Sequence, residues 1–283
     1  MDKLSLKHQI REYQKRAFHS DPQMRVHTLR EAIDFVEARG FVFFWKIKGI
    51  PFPSLWEAVA GNRPVASNHD DPGHITWKWK DAMLGKKQWY YAKVLRHKAT
   101  MISRKYLPAF YALSANFGSP EEDYLIQYLD GMLSQAEKRI YEILLSEGAQ
   151  DTQTLRRKSM LSTKYEFERA LVRLQADFRV LPVGTRRAGN GWNILRYDLV
   201  HRAYPALPEE ARLLSQTDAR MSLLMKYFEN VGGAQPADVS KLFRWQLSTI
   251  LPCLQRLTGQ GFLRKIPAEN NQKPSWYVLS SGI

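Results

Sequence analysis

The stretch Ser134-Gln-Ala-Glu137-Lys-Arg-Ile140-Tyr-Glu-Ile143-Leu144-Leu-Ser-Glu-Gly148-Ala-Gln150 decides how this 283-residue chain is built, because its plan returns in diverged form at Ser215-Gln-Thr-Asp218-Ala-Arg-Met221-Ser-Leu-Leu224-Met225. Each serine opens a capping box, with Glu137 or Asp218 three residues on, so each starts a helix. The apolar residues at six, nine and ten positions after the serine form one stripe at helical spacing. Gly-Ala-Gln ends both helices, at 148–150 and 233–235, where glycine suits the left-handed residue of a helix stop.

Working outward, a short second helix follows in each copy, then a third. The first copy's third helix starts at Thr163 with Glu166 as capping partner and carries Phe167, Ala170, Leu171 and Leu174 on one face. Its counterpart carries Ile250, Leu251, Leu254 and Leu257. Runs that favour strands come next, Phe178-Arg-Val-Leu-Pro-Val and Phe262-Leu-Arg-Lys-Ile. Each is followed by a turn-rich tip, 186–191 or 267–274, and a returning strand, Trp192 to Tyr197 or Trp276 to Leu279. Helix, helix, helix, hairpin is the winged-helix order. The fold class expected is α+β, mainly α, built of tandem winged-helix (helix-turn-helix) domains.

Upstream, Leu6, Ile10, Tyr13 and Ala17 mark the buried stripe of a first helix, and Lys3, Lys7, Arg11 and Lys15 form a basic ridge on another face. Thr28 and Glu31 cap a helix that stops at Gly40 and passes into a strand, Phe41 to Ile47. Residues 1–49 are read as a reduced winged helix. Residues 50–133 are read as an aromatic, basic insert with a connecting helix, 134–201 as a winged helix, and 202–283 as a connector and winged helix. Ser119-Pro-Glu-Glu-Asp-Tyr has the cap, proline and acids of a helix start.

Lys and Arg number 42 against 28 Asp and Glu, a net charge of +14 that favours a polyanionic partner. The basic residues concentrate between Ile75 and Tyr106, where nine Lys or Arg face a single acid, Asp81. Alternation of Ile75, Trp77 and Trp79 with Thr76, Lys78 and Lys80 predicts a strand with aromatic and basic faces. Lys78, Lys80, Lys86 and Lys87, interleaved with Trp79 and Trp89, suit nucleic acid, since cations neutralise phosphate and rings stack on bases. The same rings could instead fill core. Lys164, Arg169 and Arg173 on the third helix, and Arg186 and Arg187 at the wing tip, are the other candidate DNA contacts. The last copy's third helix offers Gln246, Thr249 and Arg256 with Pro252 inside it, and that unit is expected to be structural.

The densest polar cluster is His69-Asp70-Asp71-Pro72-Gly73-His74. His69, Asp70, Asp71 and His74 are the candidate catalytic acids and bases; the competing reading is an Asx turn in which an aspartate bonds its own backbone. Cys253 is the only cysteine, so neither a disulfide nor a cysteine zinc site is possible. No phosphate-binding glycine loop, dinucleotide fingerprint, His-Glu-x-x-His or nucleophile elbow occurs. No cofactor and no metal site are expected. No apolar run has membrane-spanning length, and a cytoplasmic monomer is expected.

Gly40-Phe-Val-Phe-Phe-Trp45, Ser54-Leu-Trp-Glu-Ala58 and the segment from Lys86 through Ala99 to Leu107-Pro108, with the two later units, resemble the winged-helix DNA glycosylase family (AlkZ/YcaQ-like). The whole chain is covered. That resemblance implies DNA as partner and, for the family, excision of alkylated bases and unhooking of crosslinks. It also implies a catalytic Gln-x-Gln or Gln-x-Asp pair on the strand after the first winged helix. The corresponding positions here are Phe43 and Trp45, which can neither take a proton nor hold a nucleophilic water. The chain thus resembles an AlkZ-related branch without the usual pair. Three functions stay open: a glycosylase-like protein acting on damaged or distorted double-stranded DNA, a non-catalytic regulator or architectural DNA binder, and a protein-interaction scaffold.

Overall fold

A computed structural model of the chain describes residues 3–68, 70–187, 189, 193–267 and 274–282; of Lys3 and Leu4 only the backbone is described. His69 and the central residues of both wing tips fall outside these. In chain order the elements are α1 (Lys3–Ala17), α2 (Leu29–Arg39), β1 (Phe41–Phe43), α3 (Leu55–Ala60), α4 (Ile75–Met83), β2 (Tyr90–Ala92), β3 (Thr100–Ile102), α5 (Leu107–Tyr111) and α6 (Asp123–Leu129). Then follow α7 (Gln135–Glu147), β4 (Gln150–Asp151), α8 (Thr152–Ser159), α9 (Lys164–Ala176), β5 (Val180–Arg187), β6 (Asn193–Leu199), α10 (Val200–Ala203) and α11 (Leu207–Arg212). The last unit holds α12 (Gln216–Val231), β7 (Gly233–Ala234), α13 (Pro236–Phe243), α14 (Leu247–Gly259), β8 (Leu263–Ile266) and β9 (Trp276–Leu279).

The two units legible in the sequence have the expected winged-helix build. Ser134 accepts the Glu137 N–H while Glu137 accepts that of Ser134; Ser215 and Thr163 accept the N–H of Asp218 and Glu166, without the reciprocal bond that would complete the expected capping boxes. In each unit the short strand after the first helix pairs with the returning strand of the wing, giving sheets ordered β4-β6-β5 and β7-β9-β8. The matched stripes diverge at Met225 and Leu251, both exposed. The longer α12 instead buries Leu223, Tyr227 and Phe228, because it packs on neighbouring units as well as its own.

A third sheet, β1-β3-β2, has the same order. Phe41 to Phe43 pair with Thr100 to Ile102, which pair in turn with Tyr90 to Ala92. The first winged helix is therefore complete: α2, β1, α3, α4 and the hairpin β2–β3 follow one another in the order of the later units. The segment read as an insert supplies the second and third helices and the wing of this unit. Its helices are separated by residues 61–74, whereas 160–163 separate α8 and α9, and this longer spacing hid the repeat.

The strand expected from Ile75 to Lys80 is a helix instead. Asp71 opens a 3₁₀ turn, Pro72–His74, by accepting the Gly73 N–H, and the Thr76 hydroxyl donates to Gly73 O at 3.0 Å, so the chain enters a helical turn. Thr76, Trp79 and Lys80 then lie on the buried face. A spacing of three and four outcompetes the alternation of two because Trp79 joins the core of Phe35, Phe44 and Trp89.

One apolar core joins all three units. It contains Phe41, Phe43 and Tyr90 from the first, Phe178 and Leu181 from the second, and Tyr227, Phe228 and Leu254 from the third. Phe41 is fully buried, its ring 5.3 Å from that of Phe52, 5.1 Å from Phe110 and 5.9 Å from Phe243. The expected stripe of α1 is realised, with Leu6 and Ile10 packed on Val278 of the last unit. The Tyr13 hydroxyl donates to Glu229 O at 2.6 Å and Gln14 to Val231 O at 3.1 Å, which ties α1 to α12. No helix of the described residues is long and apolar enough to cross a membrane.

His19, His97 and His201 all have pKa values pushed below the ordinary histidine value, first by burial and then by neighbouring arginines. In the unfolded chain each takes a proton near pH 6.5, so below that pH the unfolded state binds more protons than the native one. Their contribution to stability is complete above the ordinary value and is lost as pH falls through the lower folded values. Melting temperature should therefore fall as pH is lowered from about 7.5 to about 5.5. A flat profile over that range would show that these imidazoles are not held neutral.

Candidate nucleic-acid interface

The enlarged turn of the first unit brings together some of the residues proposed for chemistry. Both oxygens of Asp71 lie 2.7 Å from the Arg63 guanidinium, and Oδ1 also accepts the Gly73 N–H at 2.6 Å. The hydrogen bond from Arg63, with that from Gly73, holds the Asp71 carboxyl below its usual range. Asp70 is exposed beside it. His74 is buried, with Nε2 3.1 Å from Ala66 O and its ring 5.1 Å from Trp77 and 6.2 Å from Trp45. Trp45 in turn sits 5.4 Å from Trp77 and 6.0 Å from Trp56, over which Arg63 stacks at 5.0 Å. Of the two positions matched to the family's catalytic pair, Phe43 is sealed in the shared core and Trp45 belongs to this half-exposed aromatic cluster.

The aromatic and basic residues of 75–106 separate by depth. Trp79 and Trp89 are core, and Lys80 is buried, pairing with Asp81 at 2.7 Å and lying 5.5 Å over Tyr91. Trp77 and Lys78 are exposed on α4, the third helix of its unit. Lys86 and Lys87 are exposed on the following turn, Lys87 over the Tyr204 ring. In the second unit Lys164 and Arg169 project from α9 into solvent, whereas Arg173 reaches back to the buried Glu137 at 3.2 Å. Arg187 is exposed on the wing. Arg186 is anchored to Asp151 at 3.3 Å; burial opposes ionisation of that carboxyl, but the Thr154 N–H and Arg186 bring it down to about 2. Asn193, paired with Arg187 at the tip end of the β5–β6 hairpin, donates to Asp81 of α4 at 3.4 Å. On the N-terminal ridge Lys7 and Arg11 are exposed, while Lys15 pairs with Glu12.

The wing of the first unit carries residues that the sequence reading had not singled out. Its tip, 93–99, lies between the end of α9 and α13. The Lys93 N–H donates to the buried Gln175 at 3.2 Å, and His97 Nε2 is 3.2 Å from the Arg244 guanidinium. After burial, the causes that depress the His97 pKa are Arg244, Arg173, Arg96 and Lys98. Cations from all three units therefore converge on one imidazole. The adjoining cavity, about 390 Å³, is bounded by Arg96, His97, Phe110, Asp177, Arg179 and Arg244, among others. Arg244 and Arg179 carried no sequence signal, because each is a single basic residue at the end of an element and only the packing of units gathers them. Among the described residues no group of three or more His, Cys, Asp or Glu could hold a metal.

A family model described as AlkZ related matches residues 26–244. In structure the chain is similar to the Streptomyces sahachiroi DNA glycosylase AlkZ, with a TM-score of 0.57 at 13% identity, covering 96% of this chain and 69% of that one. At that identity the likeness is one of fold. No curated protein matches.

Proposed function

The chain belongs to the AlkZ-related family, and from that membership we propose that it binds duplex DNA that is damaged or distorted, acting in the cytoplasm. The observation that carries this reading is the gathering of Arg96, Arg179 and Arg244 around one cleft where three winged helices meet, with His97 Nε2 3.2 Å from the Arg244 guanidinium. A cleft in which cations outnumber acids focuses the field that draws in a polyanion. The exposed cations Lys78, Lys86, Lys87, Lys164, Arg169, Arg186 and Arg187 extend it towards the phosphate backbone. Trp77, 39% exposed on α4, is the ring best placed to stack on an extruded or unpaired base.

Two versions of this function differ in chemistry. In the first, Asp70 or Asp71, with His69 or His74 nearby, stabilises positive charge on the sugar while water attacks. In the second the protein binds without cutting. The second is favoured by Asp71, whose oxygens are taken by Arg63 and Gly73, and by the rings at 43 and 45. Duplexes holding alkylated purines, incubated with wild type, Asp70→Asn and Asp71→Asn and then probed for abasic sites, decide between them. Binding without abasic sites is the expected result; excision lost in either variant would assign the chemistry to this turn. Absence of duplex binding at low salt would remove both versions.

A further inference from the structure

The cavity between the units is lined by a buried charged group whose hydrogen bonding the fold leaves incomplete. Arg179 is 5% exposed, and its Nε is buried with no hydrogen-bond partner among the described residues. Desolvating a guanidinium is expensive unless a counter-charge with good hydrogen-bond geometry offsets it. The carboxylates near Arg179 are largely committed elsewhere. Glu137 pairs with Arg173, and Asp123 accepts the backbone N–H groups of Phe117, Gly118 and Ser119 at 2.7, 2.9 and 3.2 Å. Asp177, whose carboxyl is pushed up by burial, is the one acid that lines the cavity with it. Arg96, His97 and Arg244 line the same space, so cations outnumber the single carboxylate.

The backbone there is also unusual. Arg96, His97, Phe178 and Arg244 have φ of 56°, 57°, 55° and 62°, and all four line this cavity. Side-chain-bearing residues seldom adopt that conformation, and where such residues gather, a ligand site is a common reason. At about 390 Å³, with Phe110 and Trp245 on its wall, the cavity has room for a phosphate and the ring or sugar joined to it.

We propose that this cavity binds a phosphate group, with Arg179 as its buried anchor and Arg96, His97 and Arg244 closing on it from the first unit's wing and from α13. The assignment rests on the DNA-binding reading only for the source of the phosphate, a backbone phosphodiester in one case and a free nucleotide in the other. Arginine suits the role because its planar fork pairs two oxygens at once.

The test is thermal unfolding in chloride and in inorganic phosphate at equal ionic strength, repeated with 2′-deoxyadenosine 5′-monophosphate, on wild type, Arg179→Met and Arg244→Met. Wild type should gain several degrees in phosphate at roughly 100 times its Kd. Arg179→Met should lose the phosphate gain, and Arg244→Met should lose most of it. A larger gain with the mononucleotide identifies a free nucleotide. Equal gains, with weaker duplex binding by Arg179→Met, identify a backbone phosphate. No gain in wild type, or an unchanged gain in Arg179→Met, overturns the proposal. If Arg179→Met does not fold, an unchanged gain in Arg244→Met does so. A wild-type phosphate gain without any duplex binding would remove the DNA reading and leave this site standing.

Discussion

Replacing Phe41 by alanine should cost about 3–5 kcal/mol of stability, the range for truncating a fully buried phenylalanine. That is a large share of the roughly 5–15 kcal/mol by which a domain is stable. The expectation rests on where the ring lies. It belongs by sequence to the first unit, yet it packs against Phe243 of the third and shares a core with Phe178 of the second. The void would thus weaken every unit's hold on its neighbours. Urea unfolding followed by tryptophan fluorescence and by far-UV circular dichroism should give one coincident transition, displaced to lower urea in the variant. A loss under about 1 kcal/mol, or two separated transitions in wild type, would show that the units are stable separately.

The largest effect on binding should come from Lys164→Ala, Arg169→Ala and Arg187→Ala combined. These three cations stand exposed on α9 and its wing, so their removal leaves the folded core untouched. Three phosphate contacts account for about 2.7 in the slope of log affinity against log salt, and at ~0.1 M salt that corresponds to a fall on the order of 10²-fold in affinity. Random-sequence duplexes should lose as much as any other, because charge contacts carry no base readout. Fluorescence anisotropy from 50 to 200 mM salt measures both quantities. An unchanged slope would mean that α9 faces away from the duplex and that the α4 side carries the contact.

The parts of the fold legible in the sequence were those governed by local rules. Ser134, Thr163 and Ser215 cap helices as their spacing predicts, since a cap needs only residues within one turn. Trp77 to Lys80 misled because two periods fit the same residues, and the deciding factor, packing of Trp79 on Phe35 and Trp89, is a long-range contact. For the same reason Trp79 and Trp89 turned out to be core while Trp77 is exposed. Candidate residues carried by charge runs, such as Lys86 and Lys87, could be found by inspection. Arg179, Asp177 and Arg244, which line the cavity between the units, could not, because clusters formed where units meet have no spacing in the chain.

The docking of α1 on the last unit sets the order in which the protein can be completed as it is synthesised. Leu6 and Ile10 leave the ribosome long before their apolar partner Val278 is made. At 5–20 residues per second the helix waits roughly 15–50 s with its stripe exposed to water. During that interval the nascent chain presents an amphipathic, basic segment that a holdase chaperone can cover. Fusing α1 behind residue 282 by circular permutation would reverse the sequence of events, so that the segment emerges onto a surface already formed.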